Sequence, residues 1–277
     1  MWNLQKPLDM DAGAHLDVAF QEGEISAADK AALLALYGQY EEARGRPSEA
    51  LKAAELNPAL HQHVHDAYDL VQDGRRLRAL RASLKQLASY CPYCGFGQIS
   101  QLDHLLQRKH FKLFSIFALN LVPCCSPCNN GKRRDPSANP LKHQVHVYLE
   151  DVSQLDFLRA HIAMDADTGG LDVRYAIEQC LGMSDELYSR LVFHLEEFNL
   201  QSRFAMQTNI YLGELAFPFE MSYVTSGGDG LRAMLRGCAD SNKKNFGTND
   251  WRTALMYGLA DCAAFCDGGF RRALGKF

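Results

Sequence analysis

The sequence predicts a mainly α-helical protein of the α+β class, with one small cysteine-rich module in the first half of the chain. Two observations predict it. Apolar residues recur at helical spacing behind capping residues over much of the 277 residues, and two close pairs of cysteines flank a short segment. We expect a helical region over residues 1–88, the module over residues 89–140, and a mainly helical region over residues 141–277.

The first region carries one clear helix signal and two weaker ones. Ser26 with Asp29 predicts a capping box. The residues behind it that share one helical face are Leu33, Leu36, Tyr37 and Tyr40. After a break at Gly45 and Pro47, two further helices are expected over about 47–56 and 59–72.

The charge of the chain is unevenly distributed. The net charge is −4, yet the segment 75–134 holds eleven Lys and Arg and a single acid, Asp103. A helix near its start places Arg78, Arg81 and Lys85 beside a stripe of leucines. A basic block in an otherwise acidic protein indicates a polyanionic partner, most simply nucleic acid. A solvated helix face is the alternative.

The carboxy-terminal region carries helix signals but no motif for chemistry. Ser184 is a candidate cap for one helix and Asn249 for another. A short strand over 216–224 is a weak expectation.

Composition and hydropathy predict a cytoplasmic protein. No apolar run approaches the roughly 20 residues of a membrane helix, and the first residues do not resemble a secretory leader. The nine cysteines should therefore stay reduced, and paired spacings favour metal binding over disulfides.

Two C-x2-C pairs predict a zinc site. Cys91 and Cys94 form the first pair, Cys125 and Cys128 form the second, and thirty residues separate the pairs. Four thiolates at such spacing suit tetrahedral zinc in a structural role. Cys124 is an alternative to Cys125, although only Cys125 keeps the two-residue spacing to Cys128.

The segment between the pairs contains residues suited to phosphodiester hydrolysis. His104 suits a general base that activates water at neutral pH. Asp103 supplies a hard oxygen ligand for Mg²⁺ or Mn²⁺, and the amide oxygen of Asn129 would complete a two-ligand site that leaves positions open for water and phosphate. A catalytic cation would thus be distinct from the structural zinc.

With Asn120, these residues make up a recognisable pattern. The string LDHLLQRKHFKLFSIFALNLVPCCSPCNNGK resembles the HNH endonucleases of the ββα-metal superfamily. The resemblance covers about fifty residues, from Tyr90 to roughly Pro140, and says little about the flanking regions. The third motif position is Asn129 where many members have histidine, which leaves a weaker metal ligand.

This resemblance implies a β-hairpin with Asp103 and His104 on one arm and Asn120 on the other, and a helix from near Cys125 that presents Asn129. Asn120 would orient the region of His104. Since neighbouring residues on a regular strand point to opposite faces, Asp103 and His104 can share a site only where the strand bends or ends.

The implied activity is single-metal hydrolysis of DNA that leaves a 5′-phosphate and a 3′-hydroxyl. Nothing in the sequence excludes RNA or branched DNA as the substrate. Basic residues close to the motif are expected to contact backbone phosphates without reading sequence, namely Arg108, Lys109, Lys112, Lys132, Arg133 and Arg134.

Two other functions and one biological context stay open. The zinc module is also compatible with a non-catalytic unit that binds nucleic acid or protein. Restriction or homing endonucleases are a further alternative, although they usually carry a specificity domain. The large helical flanks are loosely similar to HNH effectors of Septu-type anti-phage systems in bacteria, which work beside an ATPase. That likeness predicts flanks that bind an ATPase or other protein partner or that form a homo-oligomer.

Overall fold

The computed structural model describes residues 2–7, 11–132, 137 and 139–275. The chain divides into two compact units, residues 2–151 and residues 152–277. Within the described residues, each unit is mainly helical and contains one two-stranded antiparallel sheet, which confirms the predicted mainly α class with a minor β component. The expected regions 1–88 and 89–140 both fall within the first unit. In the same described residues, we find no helix with the length and apolar character that crossing a membrane requires.

The first unit is built from short helices around a small hairpin. Its helices and strands are α1 (Ala12–Ala19), α2 (Ala27–Glu42), α3 (Pro58–Asp66), α4 (Arg78–Gln86), β1 (Gln101–His104), β2 (Leu121–Cys124) and α5 (Ser126–Gly131). Short 3₁₀ turns connect them at Ala50–Lys52, Ala67–Val71, Lys112–Phe114, Ala118–Asn120 and Pro140–Lys142.

Helix α2 begins at the predicted capping box. The Ser26 hydroxyl accepts a hydrogen bond from the Asp29 amide, and the Asp29 carboxylate accepts one from the Ser26 amide. This reciprocal pair satisfies two amides that a helix start leaves without partners. The predicted core face is confirmed, since its four residues are all buried: Leu33, Leu36, Tyr37 and Tyr40.

Of the two other expected helices, one is absent and one is present. The helix over 47–56 is wrong, because only the 3₁₀ turn Ala50–Lys52 forms there and Ala53 then adopts a left-handed conformation with φ of 46°. A positive φ at a non-glycine residue ends a right-handed helix. The helix over 59–72 is confirmed as α3, and its last part tightens into the 3₁₀ turn Ala67–Val71.

Strands β1 and β2 pair antiparallel, with Gln101 opposite Cys124 and His104 opposite Leu121. Beyond the strands, the Leu105 amide donates to the Asn120 carbonyl at 2.8 Å, which extends the pairing by one residue. Regular strand pairing nevertheless ends at His104, the last residue of β1.

The second unit packs long helices against its own hairpin. Its elements are β3 (Leu158–Met164), β4 (Leu171–Ile177), α6 (Asp185–Glu197), α7 (Leu200–Phe246), α8 (Trp251–Asp261) and α9 (Phe270–Leu274). Ser184 caps α6 by accepting a hydrogen bond from the Leu187 amide, as predicted. α7 bends at Ser226 and Gly227, whose backbone angles are not helical, and its first arm is residues 200–225.

Two further expectations for this unit are wrong. The segment 216–224 is helical, not a strand, because Leu212, Ala216 and Phe219 fall at helical spacing and are buried on one face of α7. The cap of α8 is Asp250, whose side chain accepts from the Arg252 amide, and not Asn249. The hairpin β3–β4 was not predicted.

Asn249 instead anchors the start of the hairpin. Its side-chain oxygen accepts hydrogen bonds from the amides of Phe157 and Leu158 at 2.8 and 3.1 Å, and its amide donates to the Leu155 carbonyl at 2.7 Å. These contacts join α8 to the chain that leads into β3.

We predict that Asn249→Ala lowers the free energy of unfolding by about 2–4 kcal/mol, because three hydrogen bonds are lost and the amides of Phe157 and Leu158 stay buried. Urea unfolding followed by circular dichroism measures this loss. The control is Asn245→Ala at an exposed position near the end of α7. Equal loss in both variants would contradict the anchoring role.

Candidate functional site

Four cysteine sulfurs form the clearest candidate metal site. The Sγ atoms of Cys91, Cys94, Cys125 and Cys128 all lie within 4.8 Å of one another, and all four residues are buried. The Sγ atoms of Cys94 and Cys125 are 3.8 Å apart, and tetrahedral zinc with Zn–S bonds of about 2.3 Å requires sulfurs about 3.8 Å apart. Cys124 is buried but lies outside this cluster.

The loop around the first cysteine pair is shaped for close approach of the sulfurs. The Cys91 amide donates to the Gly97 carbonyl, and the Gly95 amide donates to the Cys91 carbonyl. The Gly97 amide also donates to Cys94 Sγ at 3.3 Å. A Cβ on Gly97 would lie 2.6 Å from Cys125 Sγ, so only glycine fits at this position.

The chemistry of the four sulfurs favours a cation. Burial raises the pKa of the Cys91 thiol, because a thiolate there would lose its hydration. Hydrogen bonds from neighbouring thiols, Cys128 first, lower the pKa of Cys125. A divalent ion bonded to all four sulfurs would replace their protons and offset two of the four negative charges. The residues therefore fit zinc in a closed, structural site.

Asp103 lies buried on one face of β1. The Tyr93 hydroxyl and the Lys132 ammonium each donate to its Oδ2 atom at 2.8 Å. Lys132 also donates to the carbonyls of His104 and Leu105 at 2.6 and 2.9 Å. This lysine was expected at the surface as a phosphate contact, but it is buried and bonded to three oxygens, which leaves it no free donor.

His104 ends β1 with its ring held in one orientation. Its Nε2 atom lies 2.9 Å from the Ser115 carbonyl oxygen. The ring also makes an edge contact with the Tyr68 ring, with ring centroids 4.4 Å apart. Because a carbonyl only accepts, Nε2 carries the hydrogen and Nδ1 holds the lone pair. Burial lowers the pKa of His104 to about 3, so the ring is neutral at pH 7.

Helix α5 lies along the same face of β1 as Asp103. The Asn129 amide donates to Gln101 Oε1 at 2.6 Å, and Gln101 donates to Ser126 Oγ at 3.4 Å. Gln101 and Asp103 share this face because residues two apart on a strand point the same way. Asn129 thus lies near one end of the strand face, and Lys132 near the other.

Three of the four predicted catalytic side chains, all but Asn120, keep one acceptor atom without a hydrogen bond to any residue that the structure describes. These atoms are Oδ1 of Asp103, Nδ1 of His104 and Oδ1 of Asn129, while the other polar atom of each side chain is bonded. Nor is any of the three side chains hydrogen-bonded to another. Asp103 and Asn129 belong to the face of β1 that carries α5, and His104 lies at the end of the strand.

Asn120 clamps the two ends of the segment that joins β1 to β2. Its Oδ1 accepts from the Leu106 amide at 2.7 Å, and its Nδ2 donates to the carbonyls of Leu106 and Phe114 at 3.0 and 3.2 Å. The side chain is fully buried. The chain that follows His104 is therefore fixed by Asn120.

A hydroxyl and an imidazole extend this clamp. The Tyr148 amide donates to His146 Nδ1 at 3.1 Å, so the neutral His146 ring carries its hydrogen on Nε2, which lies 3.1 Å from the Tyr40 hydroxyl. Tyr40 in turn donates to Asn120 Oδ1 at 3.2 Å. Sequence reasoning placed Tyr40 in the core only and missed His146, because nothing in the local sequence links position 146 to position 120.

The remaining basic residues near the motif vary in exposure. The Arg108 guanidinium lies 4.9 Å from the centre of the Tyr68 ring, and the same ring contacts His104. Lys109 is exposed, and Lys112 donates to Gln62 Oε1 at 2.9 Å. Arg133 and Arg134 lie outside the described residues.

We predict that the purified protein contains about one zinc per chain and that Cys125→Ser loses it, because a closed site needs all four thiolates. Cys124→Ser is the matched control, one residue away, and should keep the metal. Elemental analysis by mass spectrometry measures both. Zinc loss in Cys124→Ser with retention in Cys125→Ser would reverse the ligand assignment.

We predict that Tyr40→Phe lowers the free energy of unfolding by about 1–3 kcal/mol, since the buried His146 Nε2 and Asn120 Oδ1 lose a partner. Urea unfolding measures the change. Ser100→Ala removes a hydroxyl from an exposed residue in the same unit and should change the free energy little. A Tyr40→Phe protein as stable as the unaltered protein would show that the hydroxyl is not part of the clamp.

Comparison with known proteins adds no family to this geometry. The chain matches no protein-family model, no curated protein and no solved structure. Its function is therefore argued from the site itself.

Proposed function

We propose that the protein is a metal-dependent endonuclease of the HNH type, in which β1, β2 and α5 form a ββα-metal module braced by zinc. The observation that carries the proposal is the set of three acceptor atoms, on Asp103, His104 and Asn129, that accept no hydrogen bond from the described part of the chain. Their other polar atoms are held by the protein, which leaves these three for water, a cation or substrate.

His104 acts as the general base in this proposal. Its Nδ1 accepts a proton from the attacking water, while the hydrogen bond from Nε2 to the Ser115 carbonyl keeps the ring in the required tautomer. The activated water attacks phosphorus, a new P–O bond forms, and the bond to the 3′-oxygen breaks as that oxygen takes a proton from a solvent water. The products are a 5′-phosphate and a 3′-hydroxyl.

Asp103 Oδ1 and Asn129 Oδ1 would hold the catalytic Mg²⁺ or Mn²⁺. Both are hard oxygen donors, and two protein ligands leave coordination positions for water and phosphate. A divalent ion there supplies positive charge to the phosphate and the leaving oxygen during attack. Lys132 neutralises the second carboxylate oxygen of Asp103 and fixes the orientation of that side chain.

The proposed substrate is DNA, held through its phosphates. Arg108 lies beside the Tyr68 ring that contacts His104, and Lys109 is exposed on the same segment. Together with Arg133 they would neutralise backbone phosphates without reading bases. RNA stays open as a substrate, because phosphate contacts do not distinguish the two.

For the biological role we propose a cytoplasmic nuclease effector of bacterial anti-phage defence. The support is the loose likeness to Septu-type effectors and the helical content on both sides of the module. In that setting the helical flanks would bind an ATPase or other protein partner.

A second candidate function is a non-catalytic zinc module that binds nucleic acid or protein. The observation in its favour is the buried ion pair of Asp103 with Lys132, with side chains 7% and 5% exposed. A carboxylate buried in such an ion pair is typical of a residue that stabilises the fold. Cleavage assays separate the two functions.

We predict that the protein nicks supercoiled plasmid with Mg²⁺ or Mn²⁺ and that His104→Ala lowers the rate by about 10²–10⁴-fold, the usual contribution of a positioned base. The matched control is His161→Ala, a half-exposed histidine of the other unit, which should cleave at the unaltered rate. Agarose gels over time measure nicking.

Chelation should abolish cleavage by the unaltered protein, while brief exposure to a chelator should leave the buried zinc in place. Plasmid binding in gel-shift assays without any cleavage would favour the second function. Equal cleavage by the His104→Ala protein would remove His104 from the mechanism.

A further inference from the structure

An apolar stripe runs along the exposed side of the first arm of α7. Five large apolar side chains are between 50% and 70% exposed there: Met206, Ile210, Phe217, Met221 and Val224. At 100° per residue, these five positions fall within a sector of about 60° on the helix surface. They lie opposite the buried face of the same helix, which includes Phe204, Leu212 and Phe219. The first arm therefore has two apolar faces, and the described residues cover only one of them.

The size of the stripe suits an interface between proteins. From Met206 to Val224 it extends for about 27 Å along the helix. The five side chains expose on the order of 500 Å² of apolar surface, the upper range of the largest patch on a monomer. A standard interface buries about 800 Å² on each partner. Polar residues along the edges of the stripe, such as Asn209 and Thr225, would supply the rest of the buried area.

The charges beside the stripe disfavour a membrane or a nucleic acid as the occupant. Residues 200–225 contain a single Lys or Arg, which is Arg203. Helices that lie on membranes carry several cations on their polar face, and polyanion sites need them as well. Of the two acids in the arm, Glu220 is paired with Arg271 at 2.8 Å, which leaves Glu214 near the stripe. The occupant is therefore an apolar protein surface.

The spacing of the stripe makes it complementary to itself. Ile210, Phe217 and Val224 are seven residues apart, the repeat by which paired helices keep one seam in contact. In an antiparallel pair with its two-fold axis at position 215, Met206 faces Val224 of the other copy. Phe217 then faces position 213, which is a glycine, so a large side chain meets a residue with no side chain.

We propose that this stripe is a homodimer interface, in which the α7 helices of two copies pack antiparallel around Phe217. A two-fold dimer needs one self-complementary patch, and this stripe provides it. The proposal is independent of the nuclease activity, since all of its residues lie in the second unit.

Sedimentation velocity of the full-length protein over a wide range of concentration tests the proposal. We expect a monomer–dimer equilibrium, and we expect Phe217→Glu to raise the dimer dissociation constant at least about tenfold, as the loss of a central aromatic does. Phe217 is 70% exposed, so at concentrations where both proteins are monomeric the substitution should leave circular dichroism and the urea midpoint unchanged. Ile210→Glu provides a second variant with the same expected result.

The matched control is Leu181→Glu, because Leu181 is fully exposed in the same unit and lies outside the stripe. It should dimerise as the unaltered protein does. A protein that stays monomeric at every concentration would overturn the proposal, as would a dimer that Phe217→Glu and Ile210→Glu leave intact. Monomeric protein that sediments with anionic lipid vesicles would assign the stripe to a membrane and would also overturn it.

Discussion

The cluster of four cysteine sulfurs is the constraint on which the candidate site depends. β1 and β2 have four residues each and α5 has six, and elements this short are not stable alone. Structural zinc contributes roughly 10–16 kcal/mol in small zinc modules, as much as the whole stability of an ordinary domain. The metal would fix the loop of Cys91 and Cys94 to the start of α5, and with it the segment that carries Asp103, His104 and Asn120.

A second constraint comes from the helices that precede this segment. Tyr37 of α2 stacks on Phe117 with ring centroids 4.1 Å apart, and Tyr40 of the same helix bonds to Asn120. The long connection between β1 and β2 is therefore packed against α2 as well as clamped at its base. It follows that the site is built by the first unit as a whole, and not by the cysteine-rich segment alone.

Sequence reasoning was most successful where a local pattern has one physical solution. The capping box of Ser26 and Asp29 and the spacing of the cysteine pairs are of this kind. In the hairpin β3–β4, the period-two burial of β3 is limited to Leu158 and Ala160. A pattern this short does not distinguish a strand from a helix in the sequence. The position of Lys132 required the fold, because only the packing of α5 on β1 brings its ammonium to Asp103.

The charge balance around Asp103 links the binding of the two proposed ligands, the divalent cation and DNA. The carboxylate carries one negative charge, and the buried Lys132 ammonium at 2.8 Å already compensates it. A divalent ion at Oδ1 would add two positive charges beside that ammonium, and like charges at short range in a buried setting repel. A phosphodiester brings the missing negative charge. In the proposed mechanism, metal and DNA therefore bind more tightly together than either does alone, and the Lys132–Asp103 pair limits occupation of the site by a cation when no substrate is present.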